Sequence, residues 1–206
     1  MAHRSFALRR RGADTVEHRA LDALTDQADP AEAARIVAEA SAANLPEGNK
    51  TAARYLADPV RSFAVTEART GLLHDVQATF VRIGRTSPAN GASASDTTFA
   101  FAALPERVAW TEVWPRPHWV PVSPDLAVGH EEFDTRYMVA GHDPERTLAP
   151  SVIDCFLDAP EETFSWVSIW GDHVCAHGAH GPGGHADDDR VVEFVVSVSR
   201  AMHDAR

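Results

Sequence analysis

Imidazole and thiolate side chains gather in one short stretch of this chain: His173-Val174-Cys175-Ala176-His177-Gly178-Ala179-His180, followed by Gly181-Pro182-Gly183-Gly184-His185. Four histidines and one cysteine within 13 residues are enough donors for the roughly four ligands of a closed zinc site. On a strand His173, Cys175 and His177 share a face, and His180 and His185 would fold over from the loop. If Cys175 faces the core, His173 and His177 share its direction and at least one of them is buried beside apolar groups. The spacing matches none of the standard zinc arrangements, so the competing expectation is a solvated loop with scattered histidines.

The same thiol raises a second chemistry. Cys175 with His173, His177 or His118 would make a nucleophile and base, provided the base comes within ~3 Å and a third group orients it. Cys155 lies on the apolar stripe of an expected helix and reads as a small buried hydrophobe. Two carboxylate doublets, Glu131-Glu132 and Glu161-Glu162, do not form acid–base pairs by themselves. Neighbours on a strand point to opposite faces, and on a helix they lie about 100° apart. The chain has no G-x-S-x-G elbow, P-loop, dinucleotide fingerprint or H-E-x-x-H.

A third class is a binding surface. Trp110, Trp114, Arg116, His118 and Trp119 cluster around Pro115, Pro117 and Pro121. Tryptophan beside arginine is the usual composition of an interface hot spot, and an uncovered edge strand accepts an extended peptide. Against this, large aromatics in a small protein are mostly core, and prolines on an edge serve equally to protect it.

These residues need elements to hold them. The 206 residues are 44% hydrophobic and 24% charged, enough for a real core. The formal charge of −11 and pI near 5.4 disfavour nucleic acid, because a negative chain repels phosphate unless it concentrates its positive charge. Its one basic concentration is Arg4 with Arg9, Arg10 and Arg11. Residues Met1 to Gly12 lack the apolar core of a signal peptide, and no apolar run reaches the ~18 residues of a membrane span. A cytoplasmic protein with two reduced cysteines is the expectation.

Asp29-Pro30-Ala31-Glu32 signals a helix start, with Ile36, Val37, Ala40 and Ala43 as its stripe. Upstream, residues 15–28 place Val16, Ala20, Leu24 and Ala28 on one helical face. From Asp58 the period shortens, giving two strands around Phe63–Val65 and Val76–Ile83 joined at Gly71. Residues 84–98, almost all small or polar, predict a mobile loop. Val108–Trp114 reads as an edge strand ended by prolines, and Phe133–Val139 as another strand. Asp143-Pro144 should cap a helix running to Asp158, Phe164–Trp170 is a strand apolar on both faces, and Gly171-Asp172 is a hairpin signal with His173–His177 returning. Asp187 to Asp189 suit the positive end of a terminal helix, Asp188 to His203.

Phe133-Asp134-Thr135-Arg136-Tyr137-Met138-Val139, Asp143-Pro144-Glu145-Arg146-Thr147-Leu148 and the turn at Trp170-Gly171-Asp172 together resemble a pattern common in uncharacterised actinobacterial proteins. That pattern is an aromatic strand, an Asp-capped helix and two strands through a Gly-Asp turn, often downstream of membrane helices. The resemblance covers about residues 107–200 and implies a fold but no activity. This chain departs from it in having no membrane helices and in its histidine-rich loop.

The reading that follows is an α+β fold: a mostly antiparallel sheet packed by two C-terminal helices, with an N-terminal helical appendage. Its divisions are a flexible basic start (1–12), the helical appendage (13–57) and the α+β domain (58–206). The leading function is a non-catalytic cytoplasmic interaction or accessory protein, using Trp110, Trp114, Arg116, His118 and Trp119 to meet a protein partner or a second copy, without a cofactor. The alternative is a metal-binding protein or metal-dependent hydrolase that holds Zn through His173, Cys175, His177, His180 and His185.

Overall fold

A computed structural model of the protein describes residues 20–31, 33–35, 37, 63–85, 97–117, 127–178 and 187–205. The basic start, most of the expected loop at 84–98, His118, Trp119, His180 and His185 lie outside them. The fold is α+β, a mostly antiparallel sheet packed against C-terminal helices with an N-terminal helical segment.

In chain order the elements are α1 (Ala20–Ala23) and β1 (Asp26–Gln27), then α2, helical at each described position between 30 and 37. Next come β2 (Phe63–Leu73), β3 (Val76–Arg85) and β4 (Thr97–Pro115). After them follow α3 (Glu131–Arg136), β5 (Tyr137–Gly141), α4 (Pro144–Thr147), α5 (Pro150–Asp158), β6 (Phe164–Gly178) and α6 (Asp188–Asp204).

Local chemistry explains several departures from the sequence reading. Residues 133–136 are helical rather than extended, because His130 Nδ1 accepts the Phe133 N–H and three acidic residues occupy the first turn of α3, where the helix dipole favours them. The single helix expected over 144–158 is two. Pro150 holds Ala149 extended (φ −56°, ψ 157°), since the residue before proline avoids the helical region. Asp143 precedes α4 but its side chain makes no cap bond.

Helix α1 stops at Ala23, and Asp26–Gln27 instead pairs with Thr70 and Arg69 of β2. The β2–β3 turn is at His74-Asp75, both with positive φ, not at Gly71. That glycine lies inside β2 because a Cβ there would sit 2.7 Å from Ala23 O and 3.0 Å from Leu24 Cα. Gly71→Ala is therefore expected to loosen residues 20–27 from the sheet at a cost of roughly 1 kcal/mol, read as faster proteolytic cleavage of that segment with the rest intact; unchanged cleavage would contradict the close approach.

The sheet has an unusual centre. A chain extended from Ser165 to His177 would separate them by about 40 Å. Instead the Ser165 hydroxyl shares a hydrogen bond with the His177 ring, Trp166 stacks on that ring at 5.6 Å and 6°, and Trp170 meets His173 at 6.2 Å. The chain thus doubles back at Gly171, whose φ is 53°, as a Gly-Asp turn allows.

Strand β4 doubles back around it. Phe99–Ala103 pairs with the returning arm of β6 and Val108–Val113 with the outgoing arm, and residues 104–107 carry the chain past the tip. Across the sheet the order is β1, β2, β3, the first arm of β4, the two arms of β6, the second arm of β4, and β5. Val108–Trp114 is consequently an interior strand between β5 and β6, not an edge. Pro115 is compatible with this because it closes the ladder, opposite Tyr137.

Alternation along the strands sends one set of side chains to each face. On the inner face Phe80, Ala100, Ala102, Val113, Val139, Val167, Ile169, Val174 and Ala176 pack with Val152 and Phe156 of α5 and Val191, Val195 and Val198 of α6. Ala20 of α1 and Leu24 just after it join this core, and the Asp189 carboxylate accepts the Leu21 N–H at 2.9 Å. On the outer face Ala33 and Val37 of α2 cover Ala68, Val81, Ile83, Phe99, Phe101 and Cys175.

Candidate functional site: a tryptophan-lined sheet face

Beyond the part covered by α2, the outer face is built by the second arm of β4, the outgoing arm of β6, and β5. Thr111 and Val113 are fully buried inward, so Glu112 between them, with Trp110 and Trp114 on either side, projects outward. On one side Glu112 lies opposite Ala140, with Met138 opposite Trp114. On the other it lies opposite Ser168, flanked along β6 by Trp166 and Trp170. Four of the five tryptophans thus share one face with Glu112, and all four are half-buried. No described element packs over this part of the sheet.

Glu112 is the electrostatic anomaly. Burial raises its pKa to about 7, because desolvation disfavours the charged carboxylate. No hydrogen bond or ion pair reaches its carboxylate among the described residues. The tryptophans themselves meet histidine rings: His142 is set edge-on to Trp110 at 5.9 Å, His173 lies against Trp170 and His177 against Trp166.

The residues expected to bind a partner separate on the structure. Trp110 and Trp114 belong to this face. Arg116 does not extend it: its Nε donates to Asp134 O at 2.9 Å and its terminal nitrogen to Tyr137 O at 3.0 Å, so it fastens the α3–β5 junction. His118 and Trp119 fall outside the described residues. Glu112, His142, Trp166 and Trp170 were not picked out from the sequence as site residues, although the W-x-S-x-W spacing of Trp166, Ser168 and Trp170 was the available signal.

His173, Cys175 and His177 do share a direction, as alternation requires, but they have other occupations. Cys175 is fully buried in the outer core, and burial pushes its thiol pKa well above the usual value, the opposite of an activated nucleophile. His177 is stacked on Trp166 and lies 4.9 Å from the Phe99 ring. His173 pairs with Asp172 at 2.5 Å. Among the described residues no group of three or more His, Cys, Asp or Glu is arranged to hold a metal ion; His180 and His185 are not among them. Cys155, half-buried on α5, donates to Ser151 O at 3.3 Å, and burial raises its pKa too. Both cysteines are free thiols. Glu131, Glu132, Glu161 and Glu162 are exposed.

No described helix is long and apolar enough to cross a membrane. No protein-family model and no curated protein matches the chain. Among solved structures, the mycobacterial trehalose monomycolate transport factor A, TtfA, shows a weak likeness: 9% identity and a TM-score of 0.42, over 68% of this chain and 71% of that one. A likeness at that level carries no functional inference.

Proposed function

We propose that this chain is a non-catalytic interaction protein acting in the cytoplasm, and that its tryptophan-lined face holds a basic segment of a partner protein. One observation carries the reading: Trp110, Trp114, Trp166 and Trp170 surround a carboxylate, Glu112, that has no partner among the described residues. Aromatic faces attract guanidinium and ammonium groups through the ring quadrupole, and a desolvated carboxylate beside them favours the same ligands. The net charge of −11 adds long-range attraction for a basic partner. An extended segment with basic residues at alternate positions would bring them to one side, at the spacing of the sheet's own side chains.

A capped nonapeptide of alternating serine and arginine, titrated against intrinsic tryptophan fluorescence, tests this. The expected result is saturable binding that weakens at least tenfold in the Trp114→Ala, Trp166→Ala double variant, as truncating hot-spot aromatics does. Glu193→Gln, an exposed acid on α6, should leave it unchanged. Equal binding of the peptide with citrulline in place of arginine would overturn the reading. So would a dimer dissolved by the same tryptophan substitutions, which would give the face to a second copy.

A further inference from the structure

We propose that a second site, separate from the tryptophan face, lies where the α3–β5 junction meets the turn before β6, and that it takes a small zwitterion of the amino-acid class, its carboxylate on Arg136 and its ammonium on Glu161. A cavity of about 290 Å³ opens there, with Arg116, Arg136, Tyr137, Glu161, Glu162 and Phe164 in its walls. That volume stands at the small end for ligand pockets. The turn that presents Glu161 is well fixed: the Thr163 N–H and hydroxyl both donate to Pro160 O, at 3.2 Å and 2.7 Å, and Glu162 holds a positive φ of 68°.

Arg136 carries the inference. It is half-buried, one terminal nitrogen donates to Leu157 O at 2.8 Å and the other to the Tyr137 hydroxyl at 3.5 Å, and its guanidinium lies over the Tyr137 ring at 5.4 Å. All these partners are neutral. No carboxylate pairs with Arg136 among the described residues, in a chain where acids outnumber Lys and Arg by 30 to 19. A guanidinium has more N–H groups than these two bonds use, and a cation drawn out of water without a counter-ion is costly. A carboxylate set against its fork supplies both needs. Tying α3 to α5 through Leu157 O requires only a neutral donor, so that tie does not account for the charge. Arg116 lines the same cavity but is engaged by Asp134 O, Tyr137 O and further contacts, and recognition falls to Arg136.

Glu161 supplies the opposite charge. Burial raises the Tyr137 pKa, Arg136 opposes the rise and Glu161 adds to it, so the guanidinium and this carboxylate act on one phenol without pairing with each other. A cavity that holds a cation and a carboxylate apart matches a molecule bearing both charges, while Glu161 repels a plain anion.

Saturation-transfer NMR of the full chain with each of the common amino acids in turn is the test. At least one is expected to bind, at least about tenfold more tightly than its N-acetyl derivative, which lacks the ammonium, and its amide, which lacks the carboxylate, since each loses a hydrogen bond to a charged group. Glu161→Gln, at an exposed position, should weaken the amino acid by a similar factor and leave the melting temperature in place. Arg136→Lys keeps the charge without the fork and should weaken it about tenfold; if this variant does not fold, the two derivatives and Glu161→Gln decide. Binding that survives acetylation and tightens in Glu161→Gln would make the cavity a plain anion site and overturn the proposal. So would binding indifferent to Glu161, or no binding by any of the amino acids.

Discussion

Replacing Phe156 by alanine is expected to destabilise the protein by about 3–5 kcal/mol, the range for emptying a fully buried aromatic site. Phe156 is 0% exposed. Its ring meets those of Phe133 at 5.6 Å, Tyr137 at 5.7 Å, Phe164 at 5.6 Å and Phe194 at 5.1 Å. Four elements, α3, β5, β6 and α6, therefore converge on one side chain of α5. The neighbours are themselves tied together: Phe164 and Phe194 lie 4.7 Å apart, and the Tyr137 hydroxyl donates to the Phe156 carbonyl at 2.8 Å. A cluster held from so many directions collapses poorly into the vacated space, which puts the cost in the upper part of the range. Urea unfolding followed by circular dichroism reads the effect as a lower midpoint with an unchanged slope. A loss under about 1.5 kcal/mol would mean that the cluster repacks freely and does not bind the helices to the sheet.

The second large effect is a pH dependence of stability centred on Glu112. Its pKa is raised from 4.5 to about 7 in the folded protein. Between those values the native state holds a proton that the unfolded chain has released, so stability falls as pH rises. The contribution is fully present below about pH 4.5 and is lost as pH climbs through about 7. Full linkage would set a larger value, but the side chain is partly open to solvent, and screening reduces the effect to roughly 1–2 kcal/mol.

Glu112→Gln removes the titration while keeping the shape. The variant should be less pH-dependent than the parent between pH 5 and pH 8, and more stable than it above pH 7. In thermal melts the difference between the two proteins should widen by about 2–6 °C across that interval. Parallel curves would show that the carboxylate is solvated in the folded state.

Much of the architecture was legible locally. Asp29 Oδ1 accepts the Ala31 N–H at 3.0 Å, and the Asp187 carboxylate accepts the Arg190 N–H, so two of the three helix starts announced by acidic residues are capped where short-range chemistry puts them, while Asp143 makes no such bond. The Gly171 reversal was equally readable, because a two-residue turn with positive φ selects its residues strongly. Where local signals were ambiguous, the reading failed for identifiable reasons. Phe133 and Tyr137 are four apart with Thr135 between them, a spacing that suits either period, and only the His130 cap and the acidic first turn decide for helix.

The site itself lies on the other side of that divide. Residue order alone determined that Trp110, Glu112 and Trp114 share one side of a strand, that Trp166, Ser168 and Trp170 share one side of another, and that His173, Cys175 and His177 point together, because strand side chains alternate. It did not determine that the first two sets are neighbours, or that the third lies partly beneath a helix. Those facts follow from the way β4 doubles back around the β6 turn and interleaves segments some 60 residues apart in sequence. Strand neighbours in a sheet are chosen by long-range pairing and shared burial, not by anything within a few residues. For this reason Glu112 looks in the sequence like one more acid in a strongly acidic chain, and becomes a desolvated carboxylate among four tryptophans only when the sheet is assembled.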